Sequence, residues 1–233
     1  MEQSYHEQLI EQRRHLHQYP EVGWTEFETT WFITQRLQKW GYKVYLGHQV
    51  IDKDSIRGRN ENWVKEAIDR AKAHQVPEDF LLKTDELTGC VGVLDTGREG
   101  PVVALRFDID ALPVQETNAP EHFPNQMGFR SKRDGFMHAC GHDCHTSIGL
   151  TVARWVADHQ DQLRGKIKIV FQPAEEGSRG ARTIAASGLV DDADYFFASH
   201  IGMQAKYGEV ILDPYGFLCG SKFDVTFIGR SAH

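Results

Sequence analysis

No apolar run in the 233 residues approaches membrane-spanning length, and Met1 to Gln18 is polar and charged, without the apolar stretch of a secretory leader. A membrane partner is therefore not expected. Basic clusters are also missing. With 26 Lys and Arg against 33 Asp and Glu, the formal charge is −7, which offers nucleic acid or an anionic surface nothing to hold. Cysteine is scarce. The four residues are scattered, and two of them sit among histidines, which suits a reducing compartment and metal chemistry better than a disulfide framework. The cytoplasm is the expected location. Internal repeats and low-complexity tracts are absent, and 40% hydrophobic with 25% charged residues is the balance of a globular chain able to bury a core.

Against that plain background one segment stands out. Met137-His138-Ala139-Cys140-Gly141-His142-Asp143-Cys144-His145 packs imidazole, thiol and carboxylate together, the three donor types that divalent metals recruit from proteins. Arg106-Phe107-Asp108-Ile109-Asp110-Ala111-Leu112-Pro113 precedes it, and Phe171-Gln172-Pro173-Ala174-Glu175-Glu176-Gly177 follows. The combination points to a metal-dependent hydrolase.

Periodicity places these segments. Helical patterns cover 5–18 and the run after Thr25, where Thr25 and Glu28 have capping-box spacing. A short strand is expected at Tyr42–Leu46. Residues 47–88 are charged, with a helix at Asn62–Ala73 and a break at Pro77, and read as an insertion rather than core. Strands follow at Cys90–Asp95 and Val102–Phe107, then a long polar loop at 114–136 and a helix at Thr146–Val156. A strand at Ile167–Gln172, a helix at Ala181–Ser187 and a strand at Tyr195–Ser199 complete the series. Alternating strands and helices predict an α/β fold with a mixed sheet flanked by helices, its candidate ligands at strand ends.

Each candidate has a bland alternative. Glu175-Glu176 alone is a solvated loop pair. Beside Pro173 and Gly177, and near a His/Cys cluster, one carboxylate can bind metal while the other, pointing elsewhere, serves an attacking water as general base. Cys140 and His142, two apart, can reach one metal from an irregular turn, or be a buried thiol and a helix-capping histidine; a structural zinc site built on Cys140 and Cys144 would need two further ligands. Asp108 and Asp110 end a buried strand, to touch metal or to orient a ligand histidine. His200 follows an apolar strand as a core residue or a ligand. His15 and His17 are assigned nothing, and Trp24, Trp31 and Trp40 are assigned to the core.

Five motifs occur in order: Arg13-Arg14-His15-Leu16-His17…Pro20-Glu21, Asp108 to Pro113, His138-Ala139-Cys140-Gly141-His142-Asp143…His145, Gln172 to Gly177, and His200-Ile201-Gly202. Together they resemble the peptidase-like aminoacylase and carboxypeptidase family of amidohydrolases. The segment from Leu46 to Ser55 resembles the branch acting on aminobenzoyl-glutamate. The resemblance implies a di-metal catalytic domain that spans 1–220, binds two divalent ions (Mn2+ or Zn2+) through Cys140, His142, Glu176 and His200, and uses Glu175 as general base with Asp110 as an orienting carboxylate. It implies that 221–233 opens an α+β lid and dimerisation domain as its first strand, with His233 near the reacting carbonyl. A further ligand and the substrate clasp would lie beyond His233, so the 233 residues alone are expected to be inactive. The implied substrate is a small N-acyl amino acid, and the implied assembly is a homodimer or a heteromer with a homologous subunit.

Overall fold

The computed structural model describes residues 4–202, 205–212 and 225–230. Contacts divide the chain into two units after Ile201, and the described residues of the second form neither helix nor strand. Of the segment expected to open a lid, 225–230 lacks regular structure, while 221–224 and 231–233, including His233, lie outside the described residues. No helix among the described residues is long and apolar enough to cross a membrane.

Helix α1, Tyr5–Gln18, opens on a capping box: Glu7 N–H donates to the Ser4 hydroxyl at 3.2 Å, and Ser4 N–H donates to the Glu7 carboxylate at 3.0 Å. Helix α2, Phe27–Lys39, departs from the sequence expectation. Thr25 does not cap it; its hydroxyl donates to the Val22 carbonyl. The buried carboxylate of Glu21 reaches in instead and accepts from Thr29 N–H at 2.8 Å and Glu28 N–H at 3.4 Å. A charged acceptor from outside the helix satisfies the free donors of its first turn and suits its positive end.

Strands β1 (Lys43–Tyr45), β2 (Cys90–Asp95), β3 (Val102–Asp108), β4 (Lys166–Gln172) and β5 (Tyr195–Ala198) form one mixed sheet in the order β1-β2-β4-β3-β5. β1 and β4 run antiparallel to β2, whereas β3 lies parallel to both β4 and β5. Alternate side chains of β2 and β4 feed two cores, as the two-residue period of a strand requires. One holds Cys90, Leu94, Ile167, Ile169 and Phe171 against Ile33 and Leu37 of α2 and Leu150, Ala153 and Val156 of the long helix His142–Asp158.

The other core takes Val91 and Val170, and its outer layer is the 47–88 segment. Helices α3 (Glu61–Ala73) and α4 (Glu78–Thr84) bury Val64, Ala67, Ala71, Phe80 and Leu81, joined by Val50 and Ile51. Charge on the outer face hides from composition what the structure displays: this segment is an integral layer of the core. Burial of each Val, Ile, Leu or Phe among them contributes about 1.5–3 kcal/mol. Trp24 is buried, while Trp31 and Trp40 are half-buried. The remaining helices are α5 (Phe123–Gln126), α6 (His142–Asp158) and α7 (Gly180–Ala186).

Candidate metal centre

Three parallel strands end at one place. β3 delivers Asp108 and Asp110, β4 delivers Glu175 and Glu176, and β5 delivers His200, while the first turn of α6 supplies His142 and His145. Strand ends are where an α/β sheet leaves backbone free to turn outward and side chains free to converge. Gly141, the N-cap of α6, has φ +88°, and a Cβ there would stand 2.8 Å from Ile201 Cδ1. Only glycine lets the chain turn between Cys140 and His142 at this spacing.

His142 is fully buried. Its Nδ1 lies 2.9 Å from the Asp110 carbonyl and 3.3 Å from Asp110 Oδ1. A carbonyl only accepts, so Nδ1 carries hydrogen and Nε2 faces the cluster. Around Nε2 stand Asp108 Oδ1 at 3.8 Å, Glu175 Oε2 at 3.8 Å and Glu176 Oε1 at 3.9 Å. The expected divergence of the two glutamates is not observed; both carboxylates converge on this one nitrogen. The backbone explains it: Ala174 and Gly177 have φ of +47° and +85°, which folds the turn back on itself.

Cys140 Sγ lies 3.3 Å from His200 Nε2, while His200 Nδ1 donates to the Ile201 carbonyl at 2.7 Å. That hydrogen bond leaves the Nε2 lone pair directed at the sulfur. His145 differs. It donates from Nδ1 to Asp108 and accepts at Nε2 from Ile201 N–H at 3.0 Å. Both of its nitrogens are engaged, so His145 fixes the neighbouring carboxylate and the backbone beside His200. Asp110 spans the turn after β4, accepting from Glu175 N–H with Oδ1 and from Glu176 N–H with Oδ2, both at 3.0 Å.

Donor atoms of Cys140, His142 and His200 gather within 4.8 Å of one another, as do those of Asp108, His142 and His145 and those of His142, Glu175 and Glu176. His142 belongs to all three groups. The electrostatics call for a cation. Burial alone would pull the His142 imidazole down, but the Asp110 hydrogen bond and the charges of Asp108, Asp110 and Glu176 outweigh it and raise it to about 9. Burial, then the carboxylates of Glu176, Glu175 and Asp108, push the Cys140 thiol up to about 12. His142 Nε2 and Glu176 Oε1 are buried and have no hydrogen-bond partner among the described residues, a costly state that a divalent ion would relieve. The mixed sulfur, nitrogen and oxygen donor set fits such an ion.

The model of peptidase family M20/M25/M40 matches residues 104–229. The chain belongs to that family. Its fold is the M20 fold as well: it superposes on a Bacillus subtilis dinuclear metal-binding peptidase from the M20 family with a TM-score of 0.61 and 32% identity, over 84% of this chain and 43% of that one. Among curated relatives, the M20 chain is 50% identical to a Haemophilus influenzae homolog of one subunit of p-aminobenzoyl-glutamate hydrolase, over 97% of this chain and 54% of that protein. It is 44% identical to the indole-3-acetyl-aspartic acid hydrolase of Enterobacter agglomerans, over 97% of this chain and 52% of that protein. The M20 chain thus spans about half the length of these relatives.

Cys144 of the M20 chain joins none of the donor groups, which leaves the Cys140–Cys144 zinc pairing without support among the described residues. His138 is buried beside the cluster, both ring nitrogens are without a hydrogen-bond partner among the described residues, and burial lowers it to about 4. Sequence reasoning missed His17. Its buried ring bridges Asp143 Oδ2 at 2.8 Å and Glu116 Oε1 at 3.0 Å, and Asp143 also meets Arg13 Nε at 3.0 Å. Glu116, on the loop expected to be merely polar, further accepts from Ser131 N–H at 2.6 Å and meets His122 at 2.7 Å. The adjacency of His17 to buried Leu16 was the available signal; its partners lie 99 and 126 residues away.

Proposed function

We propose that the whole protein is a metal-dependent amidohydrolase that cleaves the amide of an N-acyl amino acid, with aminobenzoyl-glutamate as the leading substrate. The observation that carries this reading is the unpartnered pair His142 Nε2 and Glu176 Oε1, with the Glu175 carboxylate 3.8 Å from that same nitrogen. Cys140, His142, Glu176 and His200 would hold two divalent ions; carboxylate oxygen favours manganese, and the thiolate favours zinc. Bound there, the ions supply Lewis-acid charge for the scissile carbonyl and the attacking water. Glu175 accepts the proton of that water and returns it to the leaving nitrogen. Asp110 keeps His142 in one tautomer and holds the N–H groups of both glutamates, so the proton acceptor stays aimed. His233 is proposed to meet the carbonyl oxygen.

The relatives support the substrate class. Two of them are named for acyl groups joined to glutamate and to aspartic acid, both acidic amino acids. One of the two is named as a homolog of a hydrolase subunit, which supports assembly with a further subunit. Elemental analysis of the purified whole protein, paired with turnover of aminobenzoyl-glutamate, indole-acetyl-aspartate and neutral N-acetyl amino acids, tests the reading. Bound manganese or zinc and preferred release of glutamate or aspartate are expected. A metal-loaded protein that cleaves none of the panel would overturn it.

A further inference from the structure

The turn that carries Glu175 and Glu176 is held from two sides. On one side, Asp110 takes the N–H groups of Glu175 and Glu176. On the other, the preceding N–H, of Ala174, donates to Glu26 Oε1 at 2.8 Å. Three consecutive backbone donors are thus bound by two buried carboxyl groups from different segments. Glu26 is completely inaccessible to solvent. Its other oxygen meets the Thr88 hydroxyl at 2.6 Å, and its carbonyl accepts from Thr30 N–H in the first turn of α2. No cation pairs with Glu26 among the described residues; Arg70 and Arg133 are taken by Glu21 and Glu28.

The turn is shaped to need such a hold. Ala174 sits at φ +47°, a conformation unfavourable for a residue with a Cβ. Its carbonyl accepts from Gly180 N–H at 2.8 Å, and a Cβ on Gly180 would stand 1.7 Å from the Pro173 carbonyl oxygen. Backbone therefore packs on backbone with no room for adjustment, and the direction of the Ala174 peptide sets where Glu175 and Glu176 leave the chain. A fully buried carboxyl without a counter-ion is stable only when protonated, and burial followed by the charge of Asp110 raises Glu26 to about 8. Neutral, it can stand near Asp110 without repelling it.

We infer that Glu26 is a positioning residue: through the Ala174 N–H it fixes the aim of the proposed base Glu175 and the proposed ligand Glu176. The inference rests on the proposed roles of those two glutamates. Glu26 needs no contact with substrate or metal. Its effect passes through one hydrogen bond, and a side chain that keeps a neutral acceptor at the same reach should preserve it.

The test compares Glu26→Gln, Glu26→Asp and Glu26→Leu in the metal-loaded whole protein, with Glu175→Gln and Glu176→Gln alongside. Glu26→Gln should keep kcat within about 3-fold. Glu26→Leu should lower kcat by about 10²-fold with little change in KM, the scale on which an ångström of misplacement acts. Amide hydrogen exchange should quicken at 174–176 and hardly at all along α2 and β2, and metal affinity should weaken. If Glu26→Leu does not fold, Glu26→Asp, one methylene short of the turn, should produce the same local exchange and a smaller loss of kcat. Unchanged exchange at Ala174 in Glu26→Asp, or a loss in Glu26→Gln as large as in Glu26→Leu, would overturn the inference. Exchange spread evenly over α2 and β2 would do so as well, as the sign of a merely structural role. Full activity in Glu175→Gln would instead sink the functional reading, while the exchange result still reports on the Glu26 contact.

Discussion

At the residue scale adjacent carboxylates are proposed to carry separate duties. Glu175 remains partly open to solvent, with 35% of its side chain exposed, while Glu176 has an oxygen buried without a partner. A base must meet water; a ligand need not. Glu175→Gln removes the proposed proton acceptor but keeps the shape, so the whole protein should retain its metal while turnover falls by at least about 10²-fold, the usual scale for a lost general base. Metal content by elemental analysis and steady-state kinetics check the two halves, and near-normal turnover would remove Glu175 from the mechanism.

Glu26 adds a pH signature of its own. Its folded value, about 8, lies above the ordinary 4.5 of a glutamate, so the folded state holds the proton more tightly. Stability from this group is then fully present below about pH 4.5 and is lost as pH rises through about 8. Glu26→Gln cannot ionise. Measured by denaturant unfolding with chelator present, stability of the variant relative to the parent should rise between pH 5 and 8 by up to about 1.4 kcal/mol per pH unit. A difference that stays flat over that window would show that Glu26 is already ionised in the folded protein.

At the element scale, long-range polar contacts tie helices to loops. His17 on α1 joins the first turn of α6 to the 114–136 loop through Asp143 and Glu116, both buried. His17→Ala removes one partner from each of two buried carboxylates, which keep Arg13 and His122, and the loss of such a buried hydrogen-bonding partner costs about 1–3 kcal/mol. Denaturant midpoints should shift accordingly, with proteolysis first opening the 114–136 loop. A shift below about 1 kcal/mol would mean that Arg13 and His122 hold the two acids without it.

What the sequence made legible follows the same division. Strands β2 to β4 are short apolar runs, and local pattern finds them nearly to the residue. Cys140, His142 and Glu176 stood out as candidates because metal donors cluster in type, and His200 joined them through the family resemblance; the structure gathers their donor atoms into overlapping groups. The roles of Glu21 as the cap of α2, Glu26 behind the β4 turn and His17 beneath α6 were not legible locally, although the first motif contains His17 and Glu21, since each acts on a partner far away in the chain or on a backbone N–H that any residue carries. The 47–88 segment misled for a related reason: a helix with one thin apolar stripe has the composition of a surface and the packing of a core.

At the scale of the whole molecule, β5 is both a scaffold and, among the described residues, an open edge. It pairs with β3 along one side and presents Tyr195, Phe196 and Phe197 at 57%, 53% and 57% exposure. His200, just past the end of β5, is exposed too. An apolar strand with a free edge invites pairing with another chain, and a site that water reaches from that side gains little from the electrostatics of its own carboxylates. Produced as residues 1–233 alone, the polypeptide should therefore self-associate at micromolar concentration and turn over aminobenzoyl-glutamate negligibly, even with metal bound. Replacing Phe196 with Lys should suppress the association in sedimentation analysis without unfolding the sheet, since charge on an edge strand is the ordinary means of blocking it. A monomeric parent polypeptide, or one that hydrolyses acyl-glutamates at an ordinary enzymatic rate, would mean that β5 is adequately covered by residues 1–233 themselves.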